Sequence, residues 1–598
     1  MLWELVALVI LAGCFVKWQL NRSNQNRIAD GVRARALQAR RERNLKILEA
    51  YRLLDRAKAR GEMPGLERGF IESLTAANLW KAMHDATLPL DQQLTCYKIM
   101  LHFVERALCS QDKYTCLAQV RFTEALEEAK AVDVAIADRR AGRRNDEPGL
   151  LEGVPLSVKD DYDQKGFDTT CGLAARCGRP CKEDGLMVSL LRDAGAIPFC
   201  RTSTPQALLL PETMSAAWGR AQNPFNRKRT SGGSSGGEAA LLASRGSPLG
   251  IGSDVGGSLR NPSHFCGLFA FKATPERLSL EGTGEPNING ESGQTSIRAA
   301  CGPMAHSVED LILVLRAWMT NRMWMADATV PPLPLLLPPP DTKLLLPRVG
   351  YYTDDGYFAP SPACIRAVDE VVAQLALDGH ECVPFAPPLV AEAVGAYYEL
   401  MSADNCQAMI AGFEGERPCD EYASLLLLTR VPRWIGRWVV APLLEMVGEK
   451  RLAQLVHWCR PARTASELHE SIMQQARCRT AFLAQMDKQN VDVLVCPGHA
   501  LPAFLHGTSQ DLTPSCSYNL LYNLLGFPVG SVPVTWVRPT EQFYRDARFP
   551  TDSLTQKAAR VCAGSAQLPI GVQVVARPFC DEQALQLMRA IESCGHAK

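Results

Sequence analysis

The chain has 598 residues, 46% of them hydrophobic and 21% charged, which is the composition of a large packed globular protein and excludes a disordered or fibrous one. Lys and Arg number 64 against 64 Asp and Glu, so the chain as a whole carries no electrostatic signature for nucleic acid. The 21 cysteines are scattered, with Cys171, Cys177 and Cys181 the nearest group, and they form no paired knuckles for zinc; free thiols in a reducing compartment are expected.

The first predicted element is the uninterrupted apolar run from Leu5 to Val16, which Leu2 and Trp3 extend past Glu4. A bilayer core asks for roughly 20 apolar residues, though about 17 suffice when a snorkelling Lys17 and flanking Trp3 and Trp18 make up the difference. A cleaved signal peptide places its positive charges before the apolar run; here they follow it, so residues 1–22 read as a retained transmembrane anchor. Between Lys17 and Arg60 there are 13 Lys or Arg and 4 Asp or Glu, a net of plus nine, which keeps the body cytoplasmic and close to anionic lipid.

Residues 23–149 read as a basic, helical amino-terminal layer. Ile47, Tyr51 and Leu54, with Leu48 beside them, recur at helical spacing, and further helices are expected around Leu79 to Met83 and Gln92 to Leu108. From residue 150 onward, short apolar strands alternate with helices: "GVPLSVKDDY", "AIPFC" at Ala196, "LGIG" at Leu249, "RVGYY" at Arg348, "VDVLVCP" at Val491, "FPVGSVPVT" at Phe527 and "LPIGVQVVA" at Leu568. That alternation predicts an α/β body with helices over a central sheet. The proline-rich "VPPLPLLLPPPD", Val330 to Asp341, lacks the donors for a ladder and is expected as an extended surface loop.

The stretch from Arg229 to Pro262, "RTSGGSSGGEAALLASRGSPLGIGSDVGGSLRNP", is too rich in glycine for ordinary elements. It is no flexible linker, because a helix-forming "EAALLAS" and an apolar "PLGIG" interrupt it. It is no phosphate loop, because no lysine follows its glycines. Hydroxyls beside consecutive free N–H groups suit acyl chemistry, which needs an activated nucleophile and amides converging on the developing oxyanion. In "DVGGS", the amides of Val255, Gly256, Gly257 and Ser258 are candidates for that hole, the two glycines supplying backbone freedom. None of the ten histidines stands in a nucleophile-elbow or HExxH context. The candidate base is instead Lys159, at the end of the strand-like "EGVPLSVKD", where apolar neighbours are expected to disfavour its ammonium form.

The order and spacing of "GVPLSVKD", the glycine-rich stretch and "FCGLFAFKATPERLS" at Phe265 resemble the amidase signature family, from about Leu150 to the carboxyl end. The resemblance implies a twisted mixed central sheet surrounded by helices, no metal or other cofactor, and a Ser-Ser-Lys triad. Residue by residue it assigns Ser258 as nucleophile, Ser234 as the bridging serine and Lys159 as base, with Ser235 in the supporting network. Homodimers are usual among such relatives.

The amino-terminal anchor, "DATVPPLP" at Asp327, "RVGYY" and "YNLLGFPVGSVPVT" resemble the fatty-acid amide hydrolase branch of that family. This implies a lipid amide substrate, a bilayer as partner, and an endomembrane position such as the endoplasmic reticulum with the catalytic body on the cytoplasmic side. "RVPRWIGRWVVAPLLEMVGEKRLAQLVHW", Arg430 to Trp458, matches the position of the branch's membrane-binding cap and is expected to face lipid with Trp434, Trp438, Leu443, Leu444 and Val447. In "PQALLLPETMSAAW", Leu208 and Leu209 are expected in the substrate pocket wall, and leucines there depart from the methionine and phenylalanine of the mammalian type. Two other readings stand beside this one: a hydrolase of small or aryl amides, which needs no lipid-facing cap, and a membrane-tethered scaffold with a dead amidase fold.

Overall fold

The computed structural model describes residues 30–595 apart from 66, 86, 88–92, 285–293, 339–345 and 414, so the anchor expected at 1–22 lies outside the described residues. Among the described residues no helix is long and apolar enough to cross a membrane. Eleven strands build one central sheet: β1 Leu117–Val120, β2 Pro155–Lys159, β3 Ile197–Thr202, β4 Leu249–Asp254, β5 Phe269–Lys272, β6 Ala300–Ala305, β7 Val349–Tyr351, β8 Cys382–Pro384, β9 Val493–Pro497, β10 Val529–Trp536 and β11 Pro569–Ala576. Their order is β1-β3-β2-β4-β6-β5-β10-β11-β9-β7-β8. Pairing is parallel within β3-β2-β4 and within β9-β7-β8 and antiparallel elsewhere, so the sheet is mixed.

Every residue of β2, β3, β4, β6 and β11 is buried, which is why these strands read as continuous apolar or small-residue runs rather than as alternations. The expected strands are all present. Four others, β1, β5, β6 and β8, escaped the sequence reading: each is short, or in "ACGPMA" broken by Gly and Pro. The amino-terminal layer is also not a purely helical one, since β1 pairs antiparallel with β3 and forms an edge of the sheet.

Helix α1, Asp30–Ala59, lies on the body through Ile47, Ala50, Leu54 and Ala57, a stripe at i, i+3, i+7 and i+10, while Leu48 faces solvent. Helix α2, Cys96–Tyr114, starts where Thr95 Oγ1 accepts from the Lys98 N–H at 3.2 Å. Two short helices flank the site: α3, Gly236–Ala243, whose "AALL" is wholly buried, and α4, Arg260–Cys266. Among the later helices are α5 Val390–Met401, a cap segment of three consecutive turns over Arg433–Ile435, Gly436–Val440 and Ala441–Met446, then α6 Lys450–Trp458, α7 Ala465–Lys488 and α8 Ser517–Leu525. The Gly436–Val440 turn is a π-helix.

Candidate active site

Because β2 and β4 are parallel neighbours, their carboxyl ends emerge on the same edge of the sheet, the usual place for a site in an α/β fold. Lys159 ends β2, and Asp254 ends β4 just before the Val255–Ser258 loop. Between them comes the turn that precedes α3, carrying Ser234 and Ser235. Lys159 Nζ donates to Ser234 Oγ at 2.9 Å, and the Ser235 N–H donates to the Ser258 carbonyl at 3.2 Å, so the turn touches both the lysine and the loop. Exposure rises outward through the three: Lys159 is 0% exposed, Ser234 2% and Ser258 9%. That gradient leaves the nucleophile candidate nearest to solvent and the base candidate deepest.

The surroundings of Lys159 differ from the apolar strand end expected from the sequence. Asp161 Oδ2 lies 2.9 Å from Nζ, and Ser253 Oγ accepts from Nζ at 2.6 Å while donating to the same Asp161 oxygen at 2.5 Å. The strand ends at Lys159, and a turn in which the Tyr162 N–H donates to the Lys159 carbonyl at 3.3 Å brings Asp161 back to Nζ, which strand alternation in the sequence does not signal.

The loop needs glycine at two tight points. Gly257 has φ +109°, and a Cβ on it would sit 2.7 Å from Asn519 Cβ; a Cβ on Gly233, beside Ser234, would sit 2.2 Å from the Leu210 carbonyl oxygen. The loop is also clamped from below. Asp254 accepts from the Gly257 N–H at 2.8 Å, from the Leu259 N–H at 3.1 Å, and from Arg260 Nε and Nη2 at 3.0 Å each. Arg260 in turn donates to Gln573 at 2.7 Å and to the Asn519 carbonyl at 3.2 Å. Burial pushes the Asp254 carboxyl up, but the Arg260 guanidinium and the Asn523 amide hold it well below the usual carboxylate range. Gly257 therefore spends its N–H on Asp254, whereas the amides of Val255, Gly256 and Ser258 make no hydrogen bond to the described residues. The hole expected from four amides is reduced to three unengaged ones.

Beside the loop, Tyr397 of α5 donates to the Val255 carbonyl at 3.2 Å. Tyr397 also lines a cavity of about 910 Å³, within the range of roughly 300–1,000 Å³ usual for ligand sites. Leu400, Met401, Leu425, Leu444, Leu455 and Leu468 supply much of its apolar wall. Leu209 and Leu210 line it as well; Leu208 is buried and does not, so the expected wall shifts by one residue. The backbone explains the shift, because Ala207 and Leu208 both take positive φ and turn Leu208 away into the body. The cap adds Val440, Leu444, Leu452 and Val456 to the wall, so Leu444 points inward rather than to lipid as expected. Outside the cavity Trp434 is 61% exposed and Trp438 70%, with Met446 and Val447 also open and the Arg437 guanidinium 5.1 Å from the Trp438 ring centre.

A family model described as Amidase matches residues 98–585. The chain is 33% identical over 600 residues to fatty-acid amide hydrolase 1 of Sus scrofa, covering 98% of this chain and 96% of that one. It is 34% identical over 495 residues to fatty acid amide hydrolase 1 of Caenorhabditis elegans, covering 80% and 85%. A solved structure of fatty acid amide hydrolase superposes with a TM-score of 0.77 at 22% identity, over 95% of this chain and 96% of that one, which shows the shared fold. With the family model spanning residues 98–585 and a relative 33% identical over 98% of the chain, the protein belongs to the amidase signature family.

Proposed function

We propose that the protein is a membrane-associated serine hydrolase that cleaves fatty-acid amides, such as acyl ethanolamides and primary fatty amides, through an acyl-enzyme on Ser258. The observation that carries the reading is the 2.9 Å contact between Lys159 Nζ and Ser234 Oγ beside a loop with unengaged amides. In the proposed reaction, Ser258 Oγ attacks the amide carbonyl, its proton passes to Ser234, and the Ser234 proton passes to neutral Lys159. The tetrahedral oxyanion is met by the amides of Val255, Gly256 and Ser258, each such donor being worth about 2.7–4 kcal/mol in the transition state. Lys159 then returns its proton through Ser234 to the departing nitrogen, without which an amine leaves poorly. Water repeats the attack and frees the acid from Ser258.

The largely apolar cavity between the loop and the cap supports a long acyl chain as substrate. The exposed Trp434 and Trp438 support a lipid-facing cap, as does a neighbouring cavity of about 210 Å³ lined by Arg430, Arg433, Arg437, Arg460 and Arg463. Labelling with a fluorophosphonate, followed by a substrate panel, tests the proposal. The wild-type chain is expected to label and Ser258→Ala not to. For acyl ethanolamides kcat/KM is expected to rise about fifteenfold per added pair of methylenes, at about 0.8 kcal/mol for each buried CH₂, until the cavity is filled. A flat response to chain length moves the assignment to small or aryl amides, and absence of labelling moves it to a non-catalytic scaffold.

A further inference from the structure

We infer that Asp161 is a positioning residue for this hydrolysis, one that aims the lone pair of Lys159 at Ser234 and holds the ammonium formed there; the inference rests on the serine-hydrolase reading above. Lys159 Nζ has three polar neighbours, Ser234 Oγ at 2.9 Å, Ser253 Oγ at 2.6 Å and Asp161 Oδ2 at 2.9 Å. An ammonium has three N–H groups and no lone pair. A neutral amine has two N–H groups and one lone pair.

Two of the three neighbours accept only. The Asp161 carboxylate has no proton to give, and Ser253 spends its own proton on Asp161 Oδ2 at 2.5 Å. Ser253 therefore takes an N–H from the amine, the Asp161 charge at 2.9 Å repels the lone pair, and that pair is left facing Ser234, the one neighbour with a proton to deliver. Without Asp161, the Ser253 hydroxyl loses the acceptor that keeps its oxygen turned to Nζ, and it competes for that lone pair. Proton transfer then balances within the chain: the Ser258 proton goes to Ser234 Oγ, the Ser234 proton goes to Nζ, and the amine becomes an ammonium paired with Asp161.

The charge on Asp161 has little other compensation. Both Lys159 and Asp161 are 0% exposed, and Asp161 Oδ1 is buried without a hydrogen-bond partner among the described residues. The other titratable groups around the pair are engaged elsewhere. Glu238, from α3, is bound by Ser157 of β2 at 2.5 Å and Thr202 of β3 at 2.9 Å. Asp160 faces Arg201 of β3 at 3.1 Å and the Trp218 indole at 2.9 Å, and the Tyr162 hydroxyl donates to the Gly252 carbonyl of β4 at 2.6 Å.

The test is the pH profile of kcat/KM of the full-length chain in detergent, on a chromogenic acyl anilide, for wild type, Asp161→Asn and Ser253→Ala. Removing the carboxylate charge makes the ammonium easier to deprotonate, so the acid limb of Asp161→Asn is expected at least about one pH unit below wild type, with KM unchanged. Ser253→Ala keeps the charge and loses the intermediate hydroxyl; kcat is expected to fall about tenfold with the acid limb in place. A folded Asp161→Asn whose acid limb coincides with wild type overturns the inference. Should that variant not fold, a Ser253→Ala enzyme with wild-type kcat overturns it. Loss of Ser258-dependent labelling in the wild-type chain instead defeats the hydrolase reading, and the inference with it.

Discussion

Glu238 holds its carboxyl in the middle of the body, fully buried beneath the site, with Ser157 and Thr202 as its hydrogen-bond donors. Burial pushes it up to about 8, helped by the nearby Asp161 charge and opposed by the two hydroxyl hydrogen bonds. Its ordinary value is 4.5, so above that pH the unfolded chain releases a proton that the folded chain retains. Stability from this group is therefore complete below pH 4.5 and is lost as pH rises toward about 8. Glu238→Gln is expected to flatten that decline, read by urea denaturation at a series of pH values, and an unchanged slope counts against the assignment. Asp254 runs the other way: its contribution is present above the ordinary carboxylate range and survives until the pH has fallen far below it. At this scale the three catalytic candidates were legible because each stands in a short, distinctive motif. Asp161, Ser253 and the Asp254–Arg260 clamp were not read as a unit, because their partners come from β2, β4, α4 and α8.

The cap shows how one helical element divides its faces. Val440 and Leu444 turn to the cavity, while Trp434, Trp438, Met446 and Val447 turn outward, and the π-turn over Gly436–Val440 shifts the phase between the two sets. Val440 and Leu444, four residues apart, share one face of the helix, and Leu444 lies about 120° around the axis from Trp438, which is why it turns inside. The following helix is fastened by the buried Arg451, which donates to both oxygens of Asp552 at 2.7 Å and sits 4.7 Å from the ring centres of Phe358 and Phe549. Trp434→Ala combined with Trp438→Ala is expected to cost about 2 kcal/mol of vesicle binding, more than tenfold in partitioning, on the apolar area two exposed indoles would bury. Hydrolysis of a short water-soluble amide is expected to stay within twofold. Flotation with anionic vesicles checks the first and a solution assay the second; vesicle binding unaffected by the double variant removes the cap from membrane contact.

Across the whole molecule, the cavity is a product of chain segments that meet only in the folded state. Its wall takes Leu209 and Leu210 from the segment between β3 and β4, Tyr397 and Met401 from α5, Leu455 from α6 and Leu468 from α7. Leu455→Trp places a larger ring in that space and is expected to lower kcat/KM for long acyl amides at least about tenfold while sparing short ones, since a shortened channel rejects the excess methylenes. A parallel loss on both substrate lengths, measured across the same panel, would assign the effect to folding instead.

The residues alone determined the chemistry on offer and the class of fold, because a lysine at a strand end, serines beside glycines and a regular alternation of apolar strands with helices are local patterns, written over a few adjacent positions. Only the tertiary structure decided which groups surround Lys159, which amide of the loop is already engaged, and which leucines line the cavity. Those outcomes depend on the parallel placement of β2 beside β4 and on the packing of helices far apart in sequence, and a linear order of side chains does not specify distances across a sheet.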